Sequence, residues 1–213
     1  KLCPYAPRFR SPSNMVFNDI EEVFAKPLEF PQLCLMHTAK LRGDDAMFVD
    51  ILNDTISCDI RDLCYADYRT FLYWQRLHSF VTIPYTFTWR SRYGNDNTYE
   101  LKNSNIDIIQ LEESDPELEF PEFTLPTVRI VEEYQLNMRD MKKDGIDTAS
   151  YNMLVQKAQY FKGQYLDDRI AAASAADMDT LYVKLPKFIK RFANIGVVER
   201  FTATDALFDA NKA

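Results

Sequence analysis

The chain has 213 residues, 46% apolar and 14% aromatic, with 25 Lys and Arg against 32 Asp and Glu and a formal net charge of −7. That composition excludes the disordered and fibrous classes, and the length suffices to bury a core without metals or disulfides as staples. Five glycines against ten prolines disfavour phosphate-cradling loops, and the acidic balance disfavours broad nucleic-acid binding, which needs many cations to neutralise phosphates.

Residues 1–31 read as an extended N-terminal arm. Pro4, Pro7 and Pro12 fix φ and remove donors. Val16, Phe17, Ile20, Val23 and Phe24 give the arm enough apolar content to dock, and Lys26-Pro27-Leu28-Glu29-Phe30-Pro31 continues it as an extended piece. The start, Lys1-Leu2-Cys3-Pro4-Tyr5, lacks the apolar run of a signal peptide.

Residues 32–111 read as a helical segment followed by a β-hairpin. Leu33, Met36, His37 and Leu41 suggest a helix that stops near Gly43, and Asp44 or Asp45 caps the next, in which Phe48, Ile51, Leu52 and Ile56 recur at helical spacing. A third helix is expected from about Ala66 to Phe80, with Phe71, Trp74 and Leu77-His78 as its apolar stripe. The period then changes to two: Ile83, Tyr85, Phe87 and Trp89 alternate with Thr82, Pro84, Thr86 and Thr88, which predicts a strand. The turn Tyr93-Gly94-Asn95-Asp96-Asn97 and the segments 98–102 and 106–111 complete an expected hairpin or small sheet.

Residues 112–126 form an acidic, Pro-rich connector with Pro116, Pro121 and Pro126, pinned by Phe120, Phe123 and Leu125. Residues 127–213 read as a helical C-terminal domain. Its first helix carries Tyr134, Met138 and Met141 and ends with Lys142-Lys143 before Gly145. Asp147 caps a second, with the stripe Tyr151, Leu154, Val155, Ala158 and Phe161. Leu166–Ala176 forms a short helix, and Asp177 caps a longer one that Pro186 forces to begin or kink. Strand-like pieces are expected near 118–125 and 197–204. The fold class that follows is α+β: mainly helical, with a small antiparallel β-hairpin or sheet and extended Pro-rich arms.

Motifs for chemistry are sparse. The chain has no GxSxG, GxGxxG, Walker or HExxH pattern. His37 and His78 stand far apart and suit helix boundaries. Asp54, Asp59, Asp62 and Asp67 lie near a helix break, but the spacing and glycine of a calcium loop are missing, and caps explain them better. Cys3, Cys34, Cys58 and Cys64 form no CxxC pair and read as free thiols of a protein made in the cytosol. No stretch reaches the roughly 18–20 apolar residues of a membrane helix, so no membrane insertion is expected. No enzyme activity, cofactor, metal or small-molecule substrate is expected.

What remains is a signal for protein contacts: 12 Tyr, 15 Phe and arms that become ordered by lying against something. Tyr85, Phe87, Trp89, Arg90 and Arg92 combine aromatic rings with arginine, the composition of interface hot spots and also of some nucleic-acid surfaces. Phe120 and Phe123 join them as interface candidates. The competing reading is that these aromatics are core.

The order of motifs resembles the baseplate hub and hub-assembly proteins of contractile-tailed bacteriophages of the T-even type. It is carried by Arg10-Ser11-Pro12-Ser13, Lys26-Pro27-Leu28, Ile51-Leu52 with Ile56, Asp62-Leu63 with Asp67, Arg76, Tyr85-Thr86-Phe87, Leu125-Pro126, Leu166-Asp167-Asp168-Arg169-Ile170 and Asp177-Met178-Asp179. The family pattern carries cysteine pairs after the Tyr-Thr-Phe strand. Here Trp89-Arg90-Ser91-Arg92-Tyr93 stands there instead, so a zinc ribbon is not supported. The resemblance implies a non-enzymatic protein of tail morphogenesis, made in the host cytoplasm and located in the virion's tail baseplate. Its partners would be other tail and baseplate proteins. The alternative is a transient assembly chaperone absent from the mature particle.

Overall fold

The structure is a computed structural model that describes residues 13, 23–79, 85–90, 94–101, 106–109, 111, 119–192 and 194–199. Helix α1 (Phe30–Arg42) begins at a reciprocal capping pair in which the Glu29 N–H donates to Gln32 Oε1 at 2.9 Å. Pro31 sits in its first turn, where a missing N–H costs nothing. The helix stops at Gly43, whose φ of +65° is the left-handed conformation that glycine adopts without strain. Asp44 then caps α2 (Asp45–Asn53), its Oδ1 accepting the Met47 N–H at 2.9 Å. A 3₁₀ turn (Ile60–Asp62) leads into α3 (Tyr65–Ser79).

The extended residues before α1 run beside 55–57: the Lys26 N–H donates to the Thr55 carbonyl at 2.9 Å and the Ser57 N–H to the Phe24 carbonyl at 3.0 Å. Val23, Ala25 and Leu28 thereby join Val49, Leu52, Ile60, Leu63 and Phe71 in a first core. Of the expected arm, residues 1–12 and 14–22 lie outside the described residues, and α1 claims Phe30 and Pro31.

The second half contains α4 (Val128–Lys143), α5 (Ala149–Ala158), α6 (Leu166–Ala175), a π-helical turn (Thr180–Lys184) and α7 (Leu185–Phe192). Asp177 Oδ1 accepts the Thr180 N–H at 2.7 Å, and the π turn delivers the chain to α7 with Pro186 in its first turn. Phe120, Phe123, Leu125, Phe161, Leu185, Phe188 and Phe192 form a second core. Its rings meet edge to face: Phe120 with Phe188 at 5.8 Å and with Phe192 at 5.9 Å, Phe123 with Phe161 at 5.1 Å. Ile130, Val155 and Leu166 make a third, smaller core.

The two halves are stitched by backbone and charge. The Tyr65 N–H donates to the Pro126 carbonyl at 2.8 Å and the Val128 N–H to the Leu63 carbonyl at 3.0 Å. Arg61 spans from Asp50 to Glu132, 2.9 Å from each, and Arg129 reaches Asp62 at 2.8 Å.

The α+β expectation is corrected: the architecture is mainly helical. Among the described residues, strand pairing consists of two short two-stranded ladders, β1 (Tyr85–Arg90) with β2 (Asp96–Leu101) and β3 (Ile106–Ile109) with β4 (Gly196–Glu199), besides isolated bridges. The buried residues described in the three cores come from helices and extended joins. The period-two pattern over 82–89 reported a local backbone preference. A fold class is set by which elements bury each other, and among the described residues those are helices and extended joins. The strand-like expectation near 118–125 reduces to one isolated bridge between Phe123 and Phe161.

Candidate functional site: a cationic groove between the first three helices

Three helices each contribute one face to an open groove of about 540 Å³. Met36 and Lys40 lie one turn apart on α1, and Phe48 and Leu52 one turn apart on α2. On α3, Arg69, Leu72, Tyr73 and Arg76 follow the i, i+3, i+4, i+7 spacing that places them on a single stripe. Leu28 and Leu52 form a buried floor, widened by half-buried Met36, Phe48 and Leu72. Lys40 and Arg69 stand exposed at the rim with Arg76 half-buried beside them.

The floor is held by a polar strut. Gln75 is 2% exposed, and its Nε2 donates to the Lys26 carbonyl at 2.9 Å and to Thr55 Oγ1 at 2.8 Å. Ser79 Oγ donates to Gln75 Oε1 at 2.9 Å and accepts the Leu28 N–H at 2.9 Å. Residues 26–28 are thus fixed to α3, and Leu28 cannot swing away to close the groove.

No carboxylate, imidazole or thiol is among the described residues that line this groove. Its described lining therefore offers positive charge and the Tyr73 phenol over an apolar floor. Lys40 and Arg69 make no side-chain hydrogen bond or ion pair with other described residues. Their charge is left facing the groove on a chain whose overall charge is −7.

Several other reactive side chains are buried, while the Cys34 thiol is exposed on α1. Asp67 is fully buried at the start of α3, accepting the Ser13 N–H at 2.9 Å, the Ser13 hydroxyl, and the Cys64 thiol at 3.0 Å. Burial pushes the Cys64 thiol well above its ordinary range, and the Asp67 charge adds to the effect. Burial likewise raises Cys58 to about 11 and the Tyr68 phenol to about 12. These groups stay neutral at pH 7 and are poor nucleophiles. Among the described residues no three His, Cys, Asp or Glu side chains gather to hold a metal ion, and no helix is long and apolar enough to cross a membrane.

The expected interface residues are dispersed. Tyr85, Phe87 and Trp89 contribute backbone to β1, and their side chains lie outside the description, as does Arg92 altogether. Arg90 is exposed and donates from Nε to the Gly94 carbonyl at 3.2 Å. Phe120 and Phe123 are 5% and 2% exposed in the second core, so the core reading applies to these two. His37 is exposed on α1, and His78 stacks on Trp74 at 4.3 Å. Asp59 caps the 3₁₀ turn, and Asp62 pairs with Arg129.

The groove itself escaped sequence reasoning. The one available signal was the Arg69-Leu72-Tyr73-Arg76 stripe, which alternates cation and apolar group on one helical face.

Comparison with known proteins adds no relative: no family model matches the chain, and no curated protein or solved structure matches it.

Proposed function

We propose that this chain is a non-enzymatic structural component of a contractile phage tail baseplate, in the hub region, acting through protein–protein contacts. The observation that carries the binding part of this reading is the groove: an apolar floor beside the positive charge of Lys40 and Arg69, with no carboxylate, imidazole or thiol among the described lining residues. A second surface points the same way. Met178 just before the π turn, Tyr182 and Val183 on it, and Met153 and Leu154 on α5 are exposed, with Lys157 Nζ 4.8 Å from the Tyr182 ring centroid. The assembly itself is proposed on the motif order given above.

The test is mass spectrometry of purified phage particles beside the infected-cell lysate. Peptides at a stoichiometric level in the particles support the structural reading. Peptides in the lysate alone move the chain to the alternative, a transient tail-assembly chaperone. A chain that tracks with no phage material contradicts both.

A further inference from the structure

We propose that the groove between α1, α2 and α3 is the docking site for an acidic, apolar peptide segment of a partner protein. The inference deepens the reading of the chain as an assembly component and rests on it.

Charge complementarity selects the occupant. Lys40 on α1 and Arg69 on α3 both line the groove, and neither is paired with a carboxylate among the described residues. An incoming Asp or Glu therefore gains a charge-assisted contact without displacing an ion pair among the described residues. Between the two walls, Met36, Phe48 and Leu72 present half-buried apolar surface that a Leu, Met or Phe side chain can cover. Methionine on such a floor adapts to more than one apolar partner. A groove of about 540 Å³ lined by three helices has room for the side chains of a short chain segment. The Gln75 strut keeps the floor preformed, which lowers the ordering cost of binding.

Nucleic acid would need a broader cationic footprint than a chain of net charge −7 supplies. A membrane surface would need an apolar face that projects outward, and here Leu28 and Leu52 are buried and Met36, Phe48 and Leu72 only half-exposed.

A displayed library of random twelve-residue peptides, selected on the full purified chain, tests the proposal. The same selection is run on the Lys40→Glu/Arg69→Glu variant, whose circular dichroism and thermal midpoint verify folding. Both residues are exposed, so the fold should be kept. Selected peptides are expected to be enriched in Asp and Glu interleaved with Leu, Met or Phe. Their dissociation constants should rise at least about tenfold on the variant and with added salt. Peptides without acidic bias, equal binding to both proteins, or no enrichment would overturn the proposal. So would binding of phosphatidylserine vesicles or single-stranded DNA that depends on the same two residues while acidic peptides fail. The selection is read on the isolated chain, so its failure would leave the particle measurement standing, and the reverse holds equally.

Discussion

The guanidinium of Arg169 donates from Nη1 to the carbonyl oxygen of Leu125 at 3.2 Å, 44 residues away and inside the protein. The same group donates to the Gln159 carbonyl at 2.5 Å and, from Nε, to the Gly163 carbonyl at 2.9 Å. One side chain on α6, 3% exposed, thus satisfies carbonyls from the connector and from the α5–α6 loop. Burial lowers its pKa to about 10, so it remains charged at pH 7. Arg169→Lys keeps the charge but loses the planar fork. An ammonium cannot reach all three acceptors, and the substitution is expected to cost about 2–4 kcal/mol in urea unfolding.

Gly163 is bound to the same arrangement. A Cβ there would lie 2.8 Å from Asp168 Cβ and 2.9 Å from Arg169 Cγ, closer than carbon atoms pack. Gly163→Ala is therefore expected to lower stability by about 1–3 kcal/mol through forced displacement of the first turn of α6. Gly94→Ala meets nothing within 4 Å and serves as the comparison for backbone strain alone, since its φ is +84°.

The aromatic core yields a size-dependent expectation. Phe188 is fully buried and contacts Phe120, Phe123, Tyr160 and Phe192 at centroid distances of 5.1–6.4 Å. Phe188→Ala should cost about 3–5 kcal/mol. Tyr182→Ala, on the exposed side of the π turn, should stay within about 0.5 kcal/mol. Parallel thermal melts separate the two.

Much of the helical plan was legible because its signals are local. Gly43 and Asp44 mark a stop and a start, Asp177 caps the π turn, and Pro186 marks the start of α7, all within a few residues of the feature they set. Tertiary context decided the rest. The expected stripe on α3 was Phe71, Trp74 and Leu77-His78, widened by Tyr68 and Leu72; Phe71 is buried and Tyr68, Leu72 and Trp74 pack against the first core, but Asp67, Thr70 and Gln75 complete the buried set. Polar residues occupy that face because Ser13, Thr55 and the Lys26 carbonyl arrive to satisfy them, and no window of α3 shows those partners. On α5, Leu154 was expected inward and is 39% exposed. The groove was hidden for the same reason: Lys40 and Arg69 lie 29 positions apart, and each alone reads as an ordinary solvated side chain.

Alkaline pH should weaken the fold. Cys58 titrates at about 11 in the folded chain against an ordinary 9.0, and Tyr68 at about 12 against 10.0, both mainly through burial. The unfolded chain loses these protons first, so it binds fewer protons than the native state between pH 9 and 12. Stability is full below about pH 9 and falls as pH rises through the folded values. The thermal midpoint should drop progressively above pH 9, and Cys58→Ala should flatten the first part of that decline. A midpoint that is constant to pH 11 would contradict the burial of both groups.

The most direct test of the central claim supplies wild-type chain and the Lys40→Glu/Arg69→Glu variant together during tail assembly and measures their ratio in purified particles by isotope-coded mass spectrometry. A tail component that docks through its cationic groove predicts particles depleted of the variant at least about tenfold relative to the lysate. Equal incorporation of the two forms, or the absence of both from particles, would contradict it.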